Sequence, residues 1–310
     1  MARLGEIFTI SSGGTPNKKE ISFYEQGTIP WVKTGDLKEK YVPAGIECIT
    51  KAGLNNSSAK LFPPNTVLIA MYGATIGACS ILPYEASTNQ ACAAFLPCDN
   101  VLPEYLFYFL SSKKDQFVKD GVGGAQPNIS AGYLKNVEFD TKPIDKQKEV
   151  ICSLNLADNL ISLRKQQLAK LDELIKARFV ELFGDPISNP HGFDKVALSE
   201  LADIKIGPFG SLLHKEDYIE GGHALLNPSH IIDGKVAPDN KLTVSNQKYE
   251  ELSAYHLKIG DVVMGRRGEM GRCAVVPCDG YLCGTGSLMI RAKGQVTADY
   301  IQKIISFPSF

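Results

Sequence analysis

The chain has 310 residues, enough for about two domains, and 44% apolar residues allow each to bury a core of its own. Its 33 basic and 34 acidic residues leave no overall field to draw in a polyanion, so nucleic-acid binding cannot be argued from net charge. No apolar run approaches the roughly 18 residues needed to cross a bilayer, and the opening MARLGE is not a signal peptide, so no membrane partner is expected and the cytoplasm is the expected compartment.

The first predicted element, LGEIFTI at 4–10, returns as LSELADI at 198–204, an offset of 194 residues. A glycine-rich turn follows each, with Gly13 aligned to Gly207. After a one-residue slip NTVLI at 65–69 meets GDVVM at 260–264. Gly73 then matches Gly268, Gly77 and Cys79 meet Gly271 and Cys273, Pro83 meets Pro277, and Tyr105 and Leu106 meet Tyr300 and Ile301. Similarity that keeps its order over such a span marks an internal duplication. Within each copy, short β-branched or aromatic runs alternate with Gly, Pro and Asn turns. One helix follows, predicted over 103–119 and again from 298. Each copy therefore reads as α+β.

Between the copies, Pro143 gives a helix start and Gly184 with Pro186 a stop, predicting a helix of about forty residues. Leu154, Ile161, Leu168, Ile175 and Leu182 recur every seven residues, with Val150, Ala157 and Leu171 on companion positions, which makes a coiled-coil seam. The alternative is a helix packed on its own domain. A seam of this length calls for a partner helix, while Arg164 and Arg178 on it argue for an imperfect interface whose register is set by polar residues. At about 1.5 Å per residue the helix is about 60 Å long, nearly two turns of DNA at about 34 Å each. Two readers held that far apart would touch separated half-sites. The expected domains are 1–140, a spacer helix at 141–186, and 187–310.

Three segments, PWVKTGDL at 30–37, GVGGAQPNI at 121–129 and RFVELFGDP at 178–186, taken with the repeat, carry a family resemblance. Over nearly its whole length the chain resembles the specificity subunit of bacterial type I restriction-modification enzymes. The resemblance implies an α+β fold of two target-recognition domains joined by a long coiled-coil-type helix. It also implies reading of a bipartite site in double-stranded DNA, adenine methylation by partner methyltransferase subunits, and cleavage by a restriction subunit that translocates DNA. No cofactor is expected on the chain itself. Subtracting 195 from 310 ends the second copy at the counterpart of Asp115, so a second spacer helix is expected to be missing. Either the chain is shortened or its helix pairs with one from another chain, a second copy being one candidate.

Candidate DNA-contacting residues sit in the predicted loops. Arg266 and Arg267 follow the 262–264 strand between Gly265 and Gly268, a turn expected to project two guanidiniums able to grip guanine or phosphate; a solvated pair is the alternative. The equivalent loop offers Tyr72 and Thr75. Ser12, Thr15, Lys18 and Lys19 combine hydroxyls, glycines and lysines suited to phosphates, unless the segment is a plain mobile loop. The counterpart of that loop carries Ser211 and Lys215. Asn89 and Gln90 match Thr285 in position and are suited to adenine or to a structural turn. Lys33 aligns with Asn227, with His230 just beyond, while Trp31 is read as core.

Catalytic and metal motifs are not expected. Of eight cysteines, Cys48, Cys79, Cys92, Cys152 and Cys273 lie in apolar or strand-like surroundings and read as reduced packing residues. Cys273, Cys278 and Cys283 lack the Cys-x2-Cys pairing that zinc favours. There is no Walker loop, no His-Glu-x-x-His, no Gly-x-Ser-x-Gly and no Glu-x-Lys. The expected role is a non-catalytic DNA-recognition subunit. The rivals are a degenerate or decoy subunit acting only through its coiled coil, and a cysteine hydrolase, for which no acid-base constellation is visible.

Overall fold

The computed structural model describes residues 1–122, 128–209, 212–267 and 271–307. The chain divides into two compact units, Met1–Gln167 and Leu168–Phe310, and a single helix, Ile144–Phe183, runs from one into the other.

The first unit has three layers. A four-stranded sheet orders Ile10–Ser12, Cys92–Phe95, Val67–Ala70 and Cys79–Ile81, all antiparallel. The strand Val67–Ala70 is buried along its length, and its period of two sends alternate side chains into two cores. Val67 and Ile69 face Leu4, Phe8, Leu106, Leu110, Phe117, Leu134 and Phe139, which come mostly from helices. Leu68 and Ala70 face Val32, Phe62, Leu82 and Ala86, mostly from a second sheet. That sheet orders Cys48–Ile49, Ile29–Val32, Ala86–Thr88 and Leu61–Phe62, and its central pair, Ile29–Val32 with Ala86–Thr88, is parallel. The helix expected over 103–119 is two helices, Pro103–Ser112 and Lys114–Asp120, broken at Lys113. The break lets fully buried Phe117 drop into the core.

The second unit repeats this wiring strand for strand. Ala202–Ile206, Ser287–Ala292, Val262–Gly265 and Cys273–Val275 form the antiparallel sheet in the same order. In the other sheet His223–Leu226 pairs in parallel with Tyr281–Cys283, flanked by Thr243–Val244 and His256–Leu257, with one added edge strand, Tyr218–Ile219. The sequence duplication is therefore a duplication of topology, down to the parallel pair.

The long helix is rooted in the first unit by buried Gln147. Its amide nitrogen donates to the carbonyls of Asn100 and Lys142, and its oxygen accepts from Leu102 N. A second polar set follows further along the helix. Tyr108 donates to Asn155 and Asp158, and Lys40 reaches Asn155 and Glu104. The stripe of Leu154, Ile161, Leu168, Leu171, Ile175 and Leu182 is exposed, with Leu168 at 63%. Leu156, Leu160, Leu163 and Leu174 widen the apolar surface beyond the heptad seam.

Candidate nucleic-acid interface

In the first unit the C-terminal ends of three strands and the turn between two others converge on one loop face. Gly14 N donates to the Thr88 carbonyl, Asn89 N to Val32 O, and Met71 N to Ala91 O, so the segments after Ser12, Val32, Ala70 and Thr88 lie side by side. Close approach makes this possible. A Cβ on Gly13 would lie 1.9 Å from the Thr88 carbonyl oxygen, although the backbone there has no positive φ. Trp31 is buried as expected, and its indole N–H donates to Gly14 O at 3.0 Å, fastening the loop from below.

On this face Thr15 donates to Gln90, and exposed Tyr72 stands on the neighbouring segment. Thr75 turns its hydroxyl back to the Tyr72 carbonyl. Ser12 is half-buried at the strand end, and Lys18 and Lys19 are exposed further along its loop. Two residues are more constrained than their types suggest. Asn89 accepts from Ala91 N and so shapes its own turn. Lys33 is bound by Glu47 at 2.5 Å, and this hydrogen bond raises the lysine pKa against the smaller opposing effect of burial.

The second unit builds the same face with other side chains. Gly284 N donates to Leu226 O, Gly207 N to Ser287 O, and Arg266 N to Gly286 O. A Cβ on Gly207 would lie 2.0 Å from the Gly284 oxygen, matching Gly13. Asn227, Arg266 and Thr285 are brought together here: Asn227 Oδ1 lies 3.5 Å from Gly286 N, and Arg266 Nη2 is 3.4 Å from the Thr285 carbonyl. The expectation of two projecting guanidiniums is corrected in part. Arg267 is exposed, whereas Arg266 is half-buried and its Nε has no partner among the described residues. His230 is a second correction. At 5% exposure its ring closes the Pro228–His230 turn, with Nδ1 2.7 Å from the Leu225 carbonyl, so it is structural and unavailable to DNA. Lys215 is exposed on the turn Lys215–Asp217. Ser211, Gly268 and residues 123–127 of the 121–129 segment lie outside the described residues.

The family described as "Type I restriction modification DNA specificity domain" matches residues 1–173, more than half the chain. The chain belongs to this family. Among its relatives are the type I restriction enzyme MjaIX specificity subunit of Methanocaldococcus jannaschii and the EcoR124I/EcoR124II specificity subunit of Escherichia coli. The first is 26% identical over 84% of this chain and 66% of that one, the second 26% over 57% and 45%. The chain thus spans less than two thirds of the length of either. A solved structure titled for complex assembly and conformational transition of the type I R-M system shares the fold, with a TM-score of 0.59 and 17% identity over all of this chain and 81% of that one.

In this member of the specificity family four of the eight cysteines are buried. Burial pushes the Cys79, Cys92 and Cys283 thiols up to about 12 and Cys273 to about 11, leaving them protonated and inert. Cys152, expected in an apolar setting, is instead exposed on the long helix, and Cys278 is also exposed. No helix is long and apolar enough to cross a membrane among the described residues. Sequence reasoning missed Lys60, whose ammonium meets Ser11 Oγ at 3.0 Å beside the first glycine loop. Packing of one sheet against the other, not sequence spacing, brings those two side chains together.

Proposed function

We propose that this chain is the DNA-reading component of a type I restriction-modification complex, itself without catalysis. It recognises a two-part duplex site and directs adenine methylation and cleavage carried out by partner subunits. One module at 1–140 reads one half of the site, and a second at 187–310 reads the other. The observation that carries this reading is the pair of loop faces built on the same strand order but furnished with different side chains: Thr15, Tyr72, Asn89 and Gln90 on one, Asn227, Arg266, Arg267 and Thr285 on the other. A common frame with differing loops is what two readers of different sequences require, since backbone contacts position and base contacts specify. The helix at 141–186 serves as spacer and, through its uncovered stripe, as the docking surface for partner helices.

The test begins by mapping methylated adenines in cells that carry this gene with its methyltransferase gene. A motif of two short halves and a fixed gap is expected. Purified chain should then bind that duplex with salt-dependent affinity that falls when either half is scrambled. Replacing Arg266 and Arg267 with alanine should cost about 1–3 kcal/mol for each bidentate grip on a base that is removed, and only for the second module's half. Binding indifferent to both halves would refute the reading.

A further inference from the structure

Strand register places two lysines of unrelated sequence position at one and the same point of the duplicated fold. In the first unit Ser11 pairs with Ala94, which pairs with Leu68; in the second Lys205 pairs with Met289, which pairs with Val263. Ser11 and Lys205 are therefore equivalent. On the other sheet Leu61 pairs with Ser87 and His256 with Leu282, so the preceding residues Lys60 and Tyr255 are equivalent too. Each pair touches across the gap between the two edge strands, Lys60 Nζ to Ser11 Oγ at 3.0 Å and Lys205 Nζ 4.8 Å from the Tyr255 ring centroid. The ammonium is kept while the strand that supplies it is exchanged.

Packing or solubility alone would not require that exchange. A lysine stem covering an apolar edge has no need to be matched, at the same place, by a lysine arriving from the other sheet. Both lysines are exposed, and each ammonium is steadied by a neutral group, a hydroxyl in one case and a π face in the other. Neither has a carboxylate within ion-pair distance among the described residues, whereas Lys33, Lys40, Lys142, Lys248 and Lys293 all do. In a chain with one more acid than base, an oriented and uncompensated cation is what an anionic ligand can use. The location fits. Residues 58 and 59 press on the glycine loop, since a Cβ on Gly14 would lie 2.1 Å from Ser58 Oγ, and Lys205 stands two residues before Gly207.

We propose that Lys60 and Lys205 are the same phosphate-backbone anchor, one per module, delivered from opposite strands. The proposal rests on the DNA-reading function above. The anchor carries no base information and sets each module at a common height on the duplex, so that the differing loops can specify.

The experiment measures affinity of the full chain for its bipartite duplex across a salt series, for wild type, K60Q, K205Q and the swap S11K/K60S, with thermal melting to verify folding. Each single variant should reduce the slope of log affinity against log salt by about 0.9, as one phosphate is no longer neutralised, and weaken cognate and scrambled duplexes by the same factor. The swap, which gives the first unit a lysine where the second has one, should restore the wild-type slope. Unchanged slopes in folded K60Q and K205Q, or losses confined to the cognate sequence, would overturn the anchor while leaving DNA reading intact. Wild-type protein that binds no DNA would overturn both.

Discussion

Gly13→Ala is a small substitution that the structure expects to be costly. The new Cβ would sit 1.9 Å from the Thr88 carbonyl oxygen and 2.5 Å from its hydroxyl, where ordinary contact begins at 3.4 Å. Thr88 is fully buried on a strand paired on both sides, so the loop must yield, lifting by about 1.5 Å. Such a shift breaks the bond from Gly14 N to Thr88 O and the bond from Trp31 Nε1 to Gly14 O. The indole N–H is then left buried without a partner, at about 1–3 kcal/mol, and a net hydrogen bond of about 1 kcal/mol goes with it, so roughly 2–4 kcal/mol is expected in all. Trp31 is the only tryptophan of the chain and lies in the first unit, so urea unfolding followed by its emission reports that unit alone. The Trp31 transition should move to lower urea in Gly13→Ala and stay in place in Gly207→Ala, although Gly207 meets the same obstruction at 2.0 Å. Binding to the first half-site should weaken in step. A Gly13→Ala unfolding free energy within about 0.5 kcal/mol of wild type would refute the close approach.

Two further outcomes follow from buried chemistry. Asp261 is 1% exposed and held bidentately by Arg291, at 2.7 and 2.6 Å, so Arg291→Leu strands a buried carboxylate and should destabilise the second unit by about 3–5 kcal/mol. The first unit has Thr66 and Leu96 at these positions, and the double variant D261T/R291L should recover much of the loss in hydrogen-exchange protection of Val262–Gly265. Among the thiols, Cys152 and Cys278 should take a maleimide label rapidly in the folded protein, while Cys79, Cys92, Cys273 and Cys283 should not. Labelling of Cys92 as fast as Cys152, followed by mass spectrometry, would contradict the burial assigned to it.

Local and periodic features of this chain were decided by sequence alone. The duplication is written in Gly13 and Gly207, in NTVLI and GDVVM, and in the 194–195 offset, because two copies of one fold keep the same turn and strand chemistry. The long helix is equally local: its heptads and its Pro143 and Gly184 boundaries predicted the span Ile144–Phe183 almost to the residue. The loop face was legible only in part. Residue type marked Lys33 and His230 as readers, but their partners, Glu47 and the Leu225 carbonyl, follow no local pattern, whereas Asn89 takes the turn role its type also allows by accepting from Ala91 N. Tertiary structure alone decided three things. It showed that Gly13 is needed for space, not for its φ; that the histidine of the Pro228–His230 turn is buried; and that Lys60 and Lys205 come from different strands to equivalent places in the two units. Each depends on which strand lies next to which. That pairing is set by the burial of whole sheet faces, and no window of sequence contains it.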